Sequence, residues 1–170
     1  MTPEATLQRA GVSLPTQHSA VGTYVMAART GSLLFVSGHG AFDGGRPLHT
    51  GRLGEELSTA EGAAAAEAVM LNLLATVKAE LGDLSRVARF AKVVVFVNSA
   101  PHFTEQHLVA DGATDLLVAT FGSRIGRPAR SAVGVAALPL GFAVEIEAIV
   151  ETTGLDHPCT DPGRPGLDRH

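Results

Sequence analysis

Residues Phe90 to Val97 read FAKVVVFV. The stretch is short and made of β-branched and aromatic residues, which is the composition of a strand. Its apolar residues run consecutively from Val93 to Val97, so both faces of the strand are apolar. Strands of that kind are covered on both sides. Working outward, Ser131 to Leu138 and Phe142 to Val150 are similar, with Pro139-Leu140-Gly141 as the turn between them. Ser32 to Ser37 (SLLFVS) is a further strand and Val21 to Arg29 a weaker one.

Two helices separate these strands. Ser58-Thr59-Ala60-Glu61 is a capping box, in which the serine hydroxyl and glutamate carboxylate each satisfy a free backbone N–H. Ala66, Val69, Met70, Leu73, Leu74, Val77 and Leu81 then form one stripe of helical period, and Gly82 ends it. The second helix spans roughly Thr104 to Phe121, with Val109, Ala113, Leu116, Leu117 and Thr120 on one face. Gly112 inside it costs about 1 kcal/mol relative to alanine. Either the backbone packs closely there or the helix is broken.

The order β, β, α, β, α, β, β predicts an α+β fold: one mixed sheet of about five to six strands with two helices on one face. The doubly apolar strands need cover on the other face too. Nothing else in the chain supplies it, so a second subunit is expected. The domain should occupy residues 20–151, after an N-terminal arm (1–19, with a short helix over Pro3 to Ala10) and before a mobile C-terminal tail (152–170) rich in proline, glycine and charge.

Composition narrows the function. The 170 residues are 45% hydrophobic and 18% charged, a globular profile. A net charge of −4, with one Tyr and no Trp, offers neither a basic groove nor a stacking platform for nucleic acid. The single cysteine, Cys159, allows no intrachain disulfide and fits an intracellular, cytoplasmic home. The first twenty residues lack the apolar core of a signal peptide, and the alanine-rich segment from Ala63 to Leu81 carries Glu67, Lys78 and Glu80, so no membrane association is expected.

The seven histidines show no metal-site spacing, and no metal is expected. Gly38-His39-Gly40 lacks a P-loop lysine and reads as loop glycine. Arg130, where the Gly126-Arg127-Pro128-Ala129 loop runs into a strand, suits a two-pronged grip on a carboxylate. Position alone leaves a surface ion pair equally open. Glu145, Glu147 and Glu151 share one strand face with Ile149. A partly buried carboxylate in such a strand can have a raised pKa and move protons near neutrality. For Glu147 a structural ion pair across a subunit interface is the preferred reading.

Pro128-Ala129-Arg130-Ser131 followed by Val144-Glu145-Ile146-Glu147-Ala148-Ile149 resembles the signature of the Rid/YjgF family of reactive-intermediate deaminases, some of them labelled L-PSP endoribonucleases. Gly22-Thr23-Tyr24, Leu34-Phe35-Val36-Ser37-Gly38 and Lys92-Val93-Val94-Val95-Phe96-Val97 add to the resemblance. It implies a chorismate-mutase-like fold, a homotrimer with clefts between subunits, and cofactor-free hydrolysis of 2-imino acids and their enamines to 2-oxo acids and ammonia. Residue by residue, it implies Arg130 as the carboxylate anchor and Glu145 as the water-positioning group. Tyr24, Ser37, Gly38, His39 and Ala132 complete the expected substrate-binding set. Two departures stand out. Ala132 replaces a cysteine common in the family, and His39 replaces its glutamine. The Asn98–Pro101 and Asp111–Asp115 regions suggest a longer-loop branch.

The turn at Leu140 predicts that the last two strands form a hairpin with paired numbers summing to about 280. Glu145 would then face Val135, and Arg130 would lie about 17 Å away along the strands. One small imino acid could use both residues only if they came from different subunits. Besides the deaminase, two other readings fit the residues: a non-catalytic trimer that binds small carboxylates as a sensor or scavenger and, more remotely, an endoribonuclease.

Overall fold

The computed structural model describes residues 1–153; of the tail expected over 152–170, Thr152 is instead the buried last residue of a strand, and 154–170 lie outside the described residues. The chain opens with helix α1 (Pro3–Arg9), capped by Thr2. This arm is docked on the body: Leu7 is buried, and the Leu84 N–H donates to the Glu4 carboxylate at 2.8 Å. Strands β1 (Ala27–Thr30) and β2 (Leu33–His39) follow, then a small hairpin of β3 (Phe42–Asp43) and β4 (Arg46–Pro47). Next come α2 (Thr59–Leu81), β5 (Val87–Asn98), α3 (Gln106–Phe121), the single turn α4 (Ser123–Gly126), β6 (Ala129–Val135) and β7 (Val144–Thr152).

Helix α2 follows the physical logic of its sequence. Ser58 and Glu61 form both halves of the capping box, and Gly82 closes the helix at a φ of 80°. Every member of the predicted stripe, from Ala66 to Leu81, is buried. The helix is long and apolar enough to cross a membrane by length and composition, and 61% of its most apolar window is buried inside the protein. Helix α3 is continuous through Gly112, so close packing is the correct alternative. A Cβ at Gly112 would collide with the carbonyl oxygen of Ala63 in α2.

The five-stranded sheet has the order β1-β2-β7-β5-β6, with β5 and β6 parallel and the other pairs antiparallel. Residues that point from its strands to α2 and α3 form the core: Leu34, Val36, Val93, Val95, Ile146, Ala148 and Val150. This is the mixed α+β sheet that the sequence predicts. The hairpin, however, does not form. β6 and β7 turn at Pro139–Gly141, but β5 lies between them. Arg130 is level with Val93 and Ala148, and Glu145 with Phe96 and Val133. The reason lies in α3. A strand, a helix and a second strand form a crossover that returns parallel to the first, so α3 delivers β6 to the edge of β5. The Asp111–Asp115 segment is a stretch of this helix, within the Thr104 to Phe121 span read from the sequence.

The face away from the helices carries Phe35, Lys92, Val94, Phe96, Ser131, Val133, Glu147 and Ile149. Phe35 and Val133 are 42% and 44% exposed. Gly112→Ala should lose about 1–3 kcal/mol of stability in denaturant titration, because overpacking against a helix backbone outweighs the gain in helix propensity.

Candidate functional site

The site begins with one extra residue in β2. Val36 pairs with Ala148, and His39 pairs with Ile146, so three steps along β2 match two along β7. This is a β-bulge at Ser37-Gly38, which shifts the alternation of side chains beyond it. His39, not Gly38, now faces the helices. There its Nε2 lies 2.8 Å from the Thr76 hydroxyl of α2, and its Nδ1 lies 2.6 Å from the Ser37 carbonyl oxygen. A carbonyl only accepts, so Nδ1 carries the proton and, in the neutral ring, Nε2 accepts from Thr76.

Gly38 and Gly40 are thereby turned to the other side. A Cβ at Gly38 would strike the Glu145 carboxylate, and one at Gly40 would strike the Phe142 ring. The Gly-His-Gly stretch therefore serves close approach: two bare backbone positions seat a carboxylate and an aromatic ring side by side. β1 stops opposite Val36. Beyond it, Ser37 is held by the Met26 carbonyl through its N–H (3.0 Å) and by the Val25 carbonyl through its hydroxyl (2.7 Å).

These groups line a cavity of about 590 Å³ that includes Tyr24, Ser37, Gly38, His39 and Glu145. Five of the predicted site residues thus meet within one chain. Burial, then the charge of Glu147, raises the Glu145 carboxyl above its ordinary value of 4.5. Burial lowers the His39 imidazole below 6.5, against the opposing effect of its bond to the Ser37 carbonyl, and His18 lowers it further. His39 is therefore a neutral brace beneath the bulge. Glu147 also lines the cavity. Among the described residues no three His, Cys, Asp or Glu side chains group as a metal site.

Arg130 and Ala132 stand apart from this cavity. Both project from β6 to the helix side, level with Val93 and Val95 of the core. Arg130 Nη1 donates to Asp111 Oδ1 at 2.8 Å and to the Thr114 hydroxyl at 2.9 Å, and Nη2 donates to the His107 carbonyl at 3.2 Å. Of the two readings left open by position, an ion pair is the one found within the chain. Nε–H and the second Nη2–H have no partner among the described residues.

The family described as Endoribonuclease L-PSP matches residues 15–152. The chain belongs to this family, whose members include the Rid/YjgF proteins. Protein TCP17 of Trypanosoma cruzi is 48% identical over 147 residues, which span 86% of this chain and 92% of that protein. The crystal structure of Atu1372, a protein of unknown function from Agrobacterium tumefaciens, is 43% identical with a TM-score of 0.82, covering 88% and 92% of the two chains. RidA from an Antarctic Psychrobacter is 32% identical with a TM-score of 0.55, covering 80% and 94%.

In this L-PSP family member the cavity also uses residues not singled out in the sequence. Phe42, Phe142 and His18 form a linked aromatic wall. The ring centroids of Phe42 and Phe142 are 5.1 Å apart, edge to face, and those of His18 and Phe42 are 4.9 Å apart. Asn72 and Thr76 close the helix side. The available signal was the spacing of Gly38 and Gly40, two residues apart on a strand, which marks a surface approached by something bulky.

Two pH effects follow. A carboxyl raised in the folded state costs stability as pH rises from 4.5 through its folded value. Glu145→Gln should therefore raise the melting temperature at pH 7, by no more than about 2–4 °C, and leave it unchanged near pH 4. A lowered histidine acts in the other direction: stability is present above 6.5 and is lost as pH falls towards the folded value. Thermal melts of His39→Gln should show a shallower loss between pH 6.5 and 5 than wild type.

Proposed function

We propose that this chain hydrolyses 2-imino acids and their enamine tautomers to 2-oxo acids and ammonia, in a cleft completed by a homotrimer. The observation that carries this reading is Glu145. Its carboxylate is half-buried, seated against bare backbone at Gly38, and raised towards neutrality inside a cavity large enough for a substrate and a water. Family membership supports the reaction class.

The chemistry asks little of the protein. The carbon of a protonated imine is already electrophilic. Glu145 takes a proton from water as its oxygen bonds to that carbon, and a tetrahedral aminoalcohol results. Glu145 passes that proton to the nitrogen and then takes the hydroxyl proton as the C–N bond breaks, so that ammonia leaves and the new carbonyl forms. A base whose pKa is nearer the working pH performs these transfers better than an ordinary carboxylate. Orientation supplies the remainder of the acceleration.

The substrate carboxylate needs a cation, and the cavity of one chain contains no Arg or Lys among its lining residues. In this reading Arg130 of a neighbouring subunit provides it. Asp111, Thr114 and the His107 carbonyl hold one side of the guanidinium. Nε–H and the remaining Nη2–H present a parallel pair suited to a carboxylate. The apolar face around Phe35 and Val133 gives subunits a reason to associate.

Ammonia release from freshly generated 2-iminopropanoate and 2-iminobutanoate tests the reaction. Glu145→Gln should slow it by about 10²–10⁴-fold. Arg130→Ala should weaken 2-oxobutanoate binding by about 2–3 kcal/mol in calorimetry. Mixing the two inactive proteins under verified subunit exchange should restore activity wherever an intact Arg130 meets an intact Glu145. Undiminished turnover by Glu145→Gln would overturn the mechanism, and no rescue after exchange would overturn the shared cleft.

A further inference from the structure

We propose that the cavity is built for a 2-imino acid with a large apolar side chain, aromatic by preference, whose ring lies against Phe42 and Phe142 while its reacting carbon lies at Glu145. This inference rests on the imine-hydrolysis reading and goes beyond it by naming the substrate class.

Three observations carry it. The first is size. About 590 Å³ equals roughly twenty water volumes of 30 Å³ and falls within the range of about 300–1,000 Å³ found for pockets that enclose drug-sized ligands. A three- or four-carbon acid would fill only a small part of the space that one chain provides.

The second is the distribution of chemistry. The polar groups Ser37 and Glu145 lie together at the bulge, while Met26, Phe42, Leu140 and Phe142 supply an apolar wall. Phe42 meets Phe142 edge to face and His18 at a tilt, an aromatic cluster that a substrate ring can extend at favourable centroid distances.

The third is how much of the backbone serves this wall. Gly40 is the residue that lets the Phe142 ring lie over the end of β2, since any Cβ there would occupy the ring's place. Leu140 stands at the rim, 59% exposed, in the left-handed region at φ 55°. For a bulky residue that conformation is strained and persists only where the surroundings fix it. The turn thereby carries a large apolar side chain at the cavity mouth, where a glycine or asparagine would sit without strain.

The test compares side chains on one scaffold. Calorimetry on the full-length protein should give 3-phenyl-2-oxopropanoate an affinity at least about tenfold above that of 2-oxobutanoate, the effect of burying a ring. 4-Methyl-2-oxopentanoate should fall between them. Ammonia release from the imino acids of phenylalanine, leucine and alanine, generated in situ by an amino-acid oxidase, should rank in the same order in kcat/KM. Phe42→Ala should compress the phenyl-to-ethyl affinity ratio to within about twofold; Phe42→Leu, which keeps an apolar wall, should compress it less. If 2-iminopropanoate is turned over and 2-oxobutanoate binds as tightly as the phenyl acid, the side-chain pocket is overturned while the hydrolysis reading stands. If the phenyl acid binds with the expected preference and no imino acid is turned over, the pocket is supported and the hydrolysis reading falls.

Discussion

A hydrogen bond from His39 Nδ1–H to the Ser37 carbonyl, 2.6 Å long, spans the bulge in β2. In a regular strand Gly38 would follow Leu34 and Val36 onto the helix side, and His39 would face away. The additional residue reverses this. An imidazole is buried against α2, and the two glycines are exposed to Glu145 and Phe142. The cost of burying a polar ring is limited because both nitrogens are satisfied. The carboxylate above Gly38 has no hydrogen-bond partner among the described residues, and burial, then the charge of Glu147, raises its pKa. A buried histidine thus decides where the ionisable group of the cavity can sit.

The packing of α2 against α3 performs a similar service at the other end of the sheet. Gly112 lets the α3 backbone lie on the Ala63 carbonyl, which brings Asp111 and Thr114 on the same helix within reach of Arg130. An arginine held by three acceptors keeps its fork in one orientation at little further entropy cost. Glu145 on β7 and Arg130 on β6 are separated by β5 and project from opposite faces of the sheet. A fold with all its helices on one side places these two groups apart within a chain. Its second sheet face leaves Phe35 and Val133 exposed, and in the proposed assembly copies meet there.

The sequence by itself determined the elements whose signals are local. The capping box, the apolar stripe and the terminal glycine of α2 involve residues a few positions apart, so their physics is complete within the segment. The alternation of Glu145, Glu147 and Ile149 against Val144, Ile146 and Ala148 follows from the two-residue period of a strand, and it held along the whole of β7. Family membership was legible in the motifs around Arg130 and Glu145, because those motifs are contiguous.

Tertiary structure decided what depends on neighbours distant in sequence. Pro139-Leu140-Gly141 reverses the chain, but a reversal does not state which strand will lie beside the returning one. β5 took that place because its twelve residues can pair along both edges, and α3 had already set β6 parallel to one of them. The ion pair of Arg130 with Asp111 likewise needed the packing of α3 on the sheet. The bulge escaped notice because Gly38-His39-Gly40 is equally good as a loop. Only pairing with β7 shows that one of its residues is surplus, and that surplus residue is the physical reason the cavity exists where it does.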